Sequence, residues 1–76
     1  MPPLPIISGN ELIKALESIS FFVVRRKGSH VVLRDNTGHR AVVPVHGKKS
    51  IPRGTLKGIL NDCEISVKDF CDILQS

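Results

Sequence analysis

The stretch of sequence that decides the fold runs from residue 21 to residue 45 and reads FFVVRRKGSHVVLRDNTGHRAVVPV. It contains three segments rich in β-branched and aromatic residues, the types that favour strands: 21–24, 29–34 and 40–45. The basic run at 25–28 (RRKG) is expected to end the first segment, and residues 35–38 (DNTG) join the second segment to the third. Short consecutive strands joined by tight turns predict an antiparallel three-stranded meander.

Helical patterns flank this stretch on both sides. Before it, Ser8 offers an N-cap and Glu11 completes a capping box, which predicts a helix over 9–18. Prolines at positions 2, 3 and 5 exclude regular helix, so we expect residues 1–7 to form an extended lead-in.

After the stretch, Pro52 suits the first turn of a second helix that carries an apolar stripe. Ser66 followed by Asp69 predicts the cap of a short last helix. An amphipathic helix and a half-buried sheet must each cover an apolar face. We therefore expect one α+β domain over 1–76, with the helices packed together on one side of the sheet.

The composition narrows the class of partner. The chain has 76 residues with a formal net charge of +4, and it has neither Trp nor Tyr. A basic balance favours an anionic partner, namely nucleic acid, an acidic protein or a membrane surface, although the same charge can serve solubility alone. The absence of Trp and Tyr argues against an aromatic platform for stacking bases.

Other features bear on where the protein acts. No run approaches the ~20 apolar residues that span a bilayer, and no secretory signal is present, so we expect a soluble, cytoplasmic protein. Cys63 and Cys71 are expected to be reduced thiols packed as small apolar residues, with one disulfide between them as the alternative.

Three histidines are candidates for proton transfer, because the ordinary pKa of an imidazole, roughly 6.5, lies near neutrality. His39 is next to the second turn and is interpreted as a solvated surface residue. His46 follows the third strand segment, where three roles stay open: a phosphate contact, a second acid or base, or a filler at the strand end.

His30 has the surroundings that best suit chemistry. It follows Gly28 and Ser29, so it enters a strand directly after a turn, and the cations of 25–27 lie just before it. Cations can bind a phosphate and stabilise charge that develops on it, while an imidazole moves the proton. RNA supplies its own nucleophile, the 2′-hydroxyl, so neither a metal nor a protein nucleophile is required. A purely structural role for His30 remains open on spacing alone.

The basic residues form two clusters along the chain, which are Arg25, Arg26 and Lys27, and then Lys48, Lys49, Arg53 and Lys57. If the end of the first strand and the segment after the third lie on neighbouring edges, the clusters form one phosphate-binding patch. An ordinary solvated surface is the alternative. The histidines stand on separate segments without carboxylates at ligand spacing, so no metal site is predicted, and no cofactor motif is present.

The chain resembles the HicA toxin family of mRNA interferases. Five blocks in the same order carry the resemblance: SGNELIKAL at 8–16, FVVRRKGSH at 22–30, VPVHG at 43–47, IPRGTL at 51–56 and IS at 65–66. Each block alone is weak, but together they are specific and cover nearly the whole chain.

The resemblance implies a fold like that of a double-stranded-RNA-binding domain, with a small antiparallel sheet and helices on one face. It also implies a ribonuclease that cleaves messenger RNA and arrests growth, with His30 as the catalytic residue and a HicB-type antitoxin covering the site. The expected RNA-binding residues are Arg25, Arg26, Lys27, Gly28, Ser29, His46, Lys48, Lys49 and Arg53. No metal or cofactor is expected.

Two other functions compete with the ribonuclease: a non-catalytic RNA-binding module and an interaction domain for an acidic protein. His30 directly after Gly28 and Ser29 favours the ribonuclease, because passive phosphate binding needs only Lys and Arg. The chain also departs from the family at Ser20 and Glu64, where a glycine is usual. Both positions are expected to be left-handed helix ends, which cost a residue with a side chain about 1 kcal/mol each.

Overall fold

The computed structural model describes residues 3–76 and has the predicted order of elements. The elements are α1 (Gly9–Glu17), β1 (Phe22–Lys27), β2 (His30–Arg34), β3 (Arg40–Pro44), α2 (Arg53–Asp62) and α3 (Val67–Gln75). The α+β class is confirmed, and the arrangement is compatible with that of a double-stranded-RNA-binding domain. Met1 and Pro2, the first residues of the predicted lead-in, lie outside the described residues.

The three strands form one antiparallel sheet in the order β1-β2-β3, as the meander predicts. At one end of the sheet, His30 lies opposite both Lys27 of β1 and Pro44 of β3. At the other end, Arg34 lies opposite Arg40. Residues that face each other across antiparallel strands project from the same side of the sheet. The register therefore fixes which side chains share a face.

Strand β1 is longer than predicted, because the basic run continues the strand instead of ending it. The strand runs to Lys27, whereas Phe21 lies before it and is buried. Exposed side chains on an edge strand keep their charges in water, so charge does not stop the backbone from pairing. The register shifts by one residue at Val24, and this β-bulge brings Arg25 opposite Val32.

The core lies on one side of the sheet, as predicted. Alternate residues of β2 and β3 point into it, and all three helices contribute apolar side chains to the same cluster: Val31, Leu33, Ala41, Val43, Leu12, Leu16, Leu56, Leu60 and Phe70. We call the opposite side the open face, and its residues are Phe22, Val24, Arg25, Lys27, His30, Val32, Arg34, Arg40, Val42 and Pro44.

The predicted helix caps are present. The Ser8 hydroxyl accepts a hydrogen bond from the Glu11 backbone N–H at 3.2 Å, and the Glu11 carboxylate accepts one from the Ser8 N–H at 2.9 Å. The Ser66 hydroxyl accepts from the Asp69 N–H at 3.1 Å. These bonds satisfy N–H groups that the first turn of a helix leaves without partners.

Both predicted left-handed helix ends are also present. Ser20 has φ 74° and Glu64 has φ 57°, and they are the only non-glycine residues with positive φ among those described. No helix within residues 3–76 has the length and apolar character needed to cross a membrane.

The start of α1 packs closely against the end of β3. A side chain at Gly9 would overlap the carbonyl oxygen of Pro44 and press on Val45. The segment before α1 is tied to the loop after β3 as well, because the Ile51 N–H donates to the Ile7 carbonyl at 2.8 Å. These contacts hold the end of the sheet at which His30 lies.

Candidate functional site

An open cleft of about 390 Å³ lies where β2 begins, β3 ends and α2 begins. Its lining residues are His30, Val42, Pro44, His46, Lys49, Ser50, Ile51, Pro52 and Thr55. We call this place the cleft end of the sheet. It brings His30, at the start of β2, together with His46 and Lys49 from the turn after β3.

The β1–β2 turn fixes His30 on the rim of this cleft. Gly28 has φ 58°, which suits the first central position of a two-residue hairpin turn, and Lys27 and His30 pair across it. The Val45 N–H donates to the Ser29 carbonyl at 2.6 Å, so the β2–β3 ladder extends one step past His30. The exposed imidazole therefore projects from a firmly held backbone.

A closed turn after β3 places His46 and Lys49 in the same cleft. The Lys49 N–H donates to the His46 carbonyl at 3.1 Å, and Gly47 takes φ 60° within the turn. Among residues 3–76, the rings of His30 and His46 have no hydrogen-bond partner. Both imidazoles are thus free to meet a ligand.

The start of α2 forms the third side of the cleft. The sequence predicts Pro52 in the first turn of α2, but the structure places it at the N-cap, one residue before the helix begins. No side chain of the described residues donates or accepts a capping hydrogen bond at this helix start. The first N–H groups of an uncapped helix can bind a phosphate, with the positive end of the helix dipole behind them. The Thr55 side chain lines the cleft beside them.

The two basic clusters lie at the same end of the sheet but not on neighbouring edges. Strands β1 and β3 are the two outer strands, and β2 lies between them. With strands spaced by about 4.8 Å, the end of β1 is roughly 10 Å from the end of β3. The condition of neighbouring edges is therefore not met, because β2 separates the two strands that carry the clusters.

The predicted RNA-binding residues are distributed unevenly around the cleft. Lys49 lines it, and Lys27 is the cross-strand neighbour of His30. Lys48 and Arg53 are exposed but do not line the cleft, and Arg26 lies opposite Val31, on the core side of β1. Of the remaining residues in the predicted set, Arg25 belongs to the open face, and Gly28, Ser29 and His46 shape or line the cleft end.

Sequence reasoning missed several polar residues. Ser50 and Thr55 line the cleft, and Arg34 and Arg40 face each other on the open face. The alternation of residues within β2 and β3 could have placed the two arginines on the side opposite Leu33 and so on one face. Nothing in the local sequence indicates that Ser50 and Thr55 approach His30, because this proximity depends on how α2 packs.

His39 is not the solvated surface residue that the sequence predicts. Its Nδ1 lies 2.8 Å from a carboxylate oxygen of Asp35, and its Nε2 lies 3.0 Å from one of Glu64. Its side chain is only 27% exposed. The pattern of turn residues shows Asp35 nearby, but Glu64 reaches His39 only because the end of α2 packs beside the β2–β3 turn.

These contacts shift the pKa values of both His39 and Asp35. The hydrogen bonds with Glu64 and then Asp35 raise the pKa of His39 above its ordinary value of 6.5. Burial pushes the pKa of Asp35 upward, but the hydrogen bonds from His39 and Thr37 outweigh it and hold that pKa well below the ordinary 3.8. The carboxylates of Asp35 and Glu64 contact the two different ring nitrogens of His39. Within residues 3–76 no three His, Cys, Asp or Glu residues form a group suited to a metal ion.

The two cysteines are free thiols, as expected. Burial raises the pKa of Cys63 to about 11, with the charges of Asp62 and Asp35 acting in the same direction. The Cys63 thiol is therefore protonated near neutrality and packs as a small apolar side chain.

Comparison with known proteins assigns most of the chain to a family. The family described as HicA toxin of bacterial toxin-antitoxin matches residues 9–65, which include α1, the whole sheet, α2 and the cleft. A search of curated proteins finds no match to the chain.

Proposed function

The chain belongs to the HicA toxin family and is a toxin of a toxin–antitoxin system, and from that premise we propose that it is an endoribonuclease that cleaves messenger RNA in the cytoplasm. In this proposal residues 1–76 act as one toxin domain, and the reaction requires no metal or other cofactor. The observation that carries the proposal is the meeting of His30, His46 and Lys49 in one open cleft.

The cleft has the groups that an RNA phosphate needs. Lys49 and the nearby Lys27 supply positive charge, and the uncapped start of α2 supplies backbone N–H donors. Arg25, Arg26, Lys48 and Arg53 extend the positive charge along the flanking surface, where further phosphates of the chain can bind. Gly28 and Ser29 complete the RNA-binding set by shaping the turn that carries His30.

The chemistry needs two proton transfers. One group removes the proton from the 2′-hydroxyl, whose oxygen attacks the adjacent phosphorus. The bond from phosphorus to the 5′-oxygen breaks, and that oxygen takes a proton as it leaves. The products are a 2′,3′-cyclic phosphate and a 5′-hydroxyl, and cations close to the phosphate stabilise the charge that develops between these steps.

His30 carries one of these transfers in our proposal, and His46 carries the other. An imidazole can act as base or acid near neutrality, and a pair in one cleft can serve the attacking and the leaving oxygen. The open ring nitrogens of both residues support this pairing, since neither is engaged with another described side chain.

Control by a second protein follows from the family, because a toxin of this kind has an antitoxin partner. We propose that the partner is of the HicB type and that it blocks the cleft end. The charge of the cleft end favours an acidic surface that competes with RNA for the same residues.

Inducible expression tests the proposal. The unchanged protein should arrest growth and leave messenger fragments with 2′,3′-cyclic phosphate ends, and His30→Ala should do neither while remaining folded. Cleavage by purified protein should persist in excess EDTA. Intact messages at full growth arrest would exclude the ribonuclease, and cleavage by a folded His30→Ala protein at the unchanged rate would exclude His30 from the chemistry.

A further inference from the structure

The open face carries a second surface, distinct from the cleft, with an unusual arrangement of charge. Arg34 and Arg40 lie directly opposite each other on β2 and β3. Like charges at directly opposed positions of a sheet destabilise it. Within residues 3–76 neither arginine has an ion-pair partner, since the described ion pairs involve His39 and Lys68.

Apolar side chains lie beside these arginines and are exposed. Phe22 is the cross-strand neighbour of Arg34 and is 44% exposed, and Val24 at the bulge is 47% exposed. The bulge places Val24 and Arg25 together opposite Val32. Helices cover only the other side of the sheet, so these apolar groups remain in water in the free protein.

The charged and apolar groups border a common groove. An open depression of about 250 Å³ is lined by Val24, Arg25, Val32, Arg34 and Arg40. An occupant that fits this groove brings negative charge for the arginines and apolar surface for the valines. It also relieves the repulsion between Arg34 and Arg40.

We propose that the open face binds an acidic segment of the antitoxin that also carries apolar side chains. This inference rests on the toxin role, because it identifies the surface that the partner recognises. Protein interfaces are enriched in arginine and aromatic residues and depleted in lysine, which matches this face. A phosphate backbone satisfies the arginines but offers no apolar surface to Phe22 and Val24, so the face favours a protein over RNA.

This surface is separate from the cleft, yet it ends beside it. His30 and Pro44 belong to the last row of the open face, and together with Val42 of the row before it they also line the cleft. A segment that lies along the open face therefore reaches His30 at its end. The arginines hold the antitoxin, and the adjoining part of the antitoxin blocks the cleft.

Arg40→Glu gives the sharpest test. It removes one of the repelling charges and creates an opposite-charge pair with Arg34, so the variant should unfold at the same temperature as the parent or higher. It should nevertheless bind the purified antitoxin of this system at least tenfold more weakly. Binding is measured by calorimetry in the His30→Ala background, so that the result does not depend on whether the protein cleaves RNA.

Two matched variants complete the experiment. Lys68→Glu is the charge control: it changes the net charge by the same amount as Arg40→Glu, but at α3 and not on the open face. It should leave antitoxin binding unchanged. Val24→Ser removes apolar surface without changing charge and should also weaken antitoxin binding. With His30 present, Arg40→Glu should cleave RNA at the parent rate.

The other outcomes overturn the proposal. Unchanged antitoxin affinity in both Arg40→Glu and Val24→Ser excludes the open face as the docking surface. Unchanged antitoxin affinity together with a several-fold higher KM for RNA in Arg40→Glu assigns the face to RNA instead. If Lys68→Glu weakens antitoxin binding as much as Arg40→Glu does, the loss is caused by net charge and not by the open face.

Discussion

The two ends of the sheet each carry histidine, but they use it in opposite ways. At the cleft end, His30 and His46 have open ring nitrogens and lie beside lysine and an uncapped helix start. At the other end, both ring nitrogens of His39 are engaged by carboxylates. The two carboxylates favour the protonated form of His39 and occupy both of its ring nitrogens, whereas an imidazole with open ring nitrogens in a cleft can exchange protons with a ligand.

The same contrast applies to the turns. The β1–β2 turn, Gly28 and Ser29, lies between Lys27 and His30 and makes no side-chain hydrogen bond among the described residues, so the groups beside it remain available. In the β2–β3 turn the polar groups hydrogen-bond with one another. The Asp35 carboxylate accepts hydrogen bonds from the Thr37 N–H at 3.0 Å and from the His39 N–H at 2.9 Å. Sequence alone makes the two turns look alike, since each has a glycine and a nearby histidine.

The largest expected effect concerns the second histidine of the cleft. His46→Ala should lower kcat/KM for RNA cleavage by about 100-fold or more, the usual contribution of a general acid or base. It should also remove one limb of the bell-shaped dependence of rate on pH. His39→Asn is the control and should keep both limbs. A His46→Ala protein that retains both limbs would restrict His46 to phosphate binding.

The next effect tests how the cleft end is held. Gly9→Ala should lower the free energy of unfolding by about 1–3 kcal/mol, because the added methyl group overlaps the Pro44 backbone and cannot be accommodated by a side-chain movement. Gly58→Ala is the matched control: it meets no atom of residues 3–76 within 4 Å, and alanine favours helix, so it should stabilise by up to about 1 kcal/mol. Equal stability of the two variants, measured by denaturant unfolding, would contradict the close approach.

A smaller effect separates the two left-handed helix ends. Ser20→Gly should stabilise by about 1 kcal/mol, because glycine adopts φ 74° without the steric cost that a side chain brings. That corresponds to a rise in Tm of about 4–8 °C for a domain of this size. Glu64→Gly should gain less, because it also loses the contact with His39. A larger gain for Glu64→Gly would show that the His39 contact adds nothing.

The smallest effect is the pH dependence of the β2–β3 end. The raised pKa of His39 means that its contribution to stability is complete below pH 6.5 and is lost as pH rises through the folded-state pKa. The lowered pKa of Asp35 means that its contribution is present above pH 3.8 and is lost as pH falls through its folded-state value. The difference in Tm between the parent and His39→Asn should therefore be greatest below pH 6.5, where Asp35 is still ionised, and should shrink as pH rises through the folded-state pKa of His39. A difference that grows with pH would contradict the contacts.

The sequence by itself determined the order of elements and the caps. Apolar residues at strand and helix spacing, with Ser8 and Ser66 at helix starts, act over a few residues, so they can be read without the fold. The family blocks likewise indicated His30, and they marked Ser20 and Glu64 as left-handed positions.

Only the tertiary structure decided which distant side chains meet. The cleft requires β3, the loop after it and α2 to converge on His30, and the His39 contact requires the end of α2 to reach the β2–β3 turn. The repulsion of Arg34 and Arg40 depends on the register between two strands. Local sequence sets the backbone preference of each residue. Contacts between side chains that are distant in sequence depend instead on how whole helices and strands pack, and burial of the common core determines that packing.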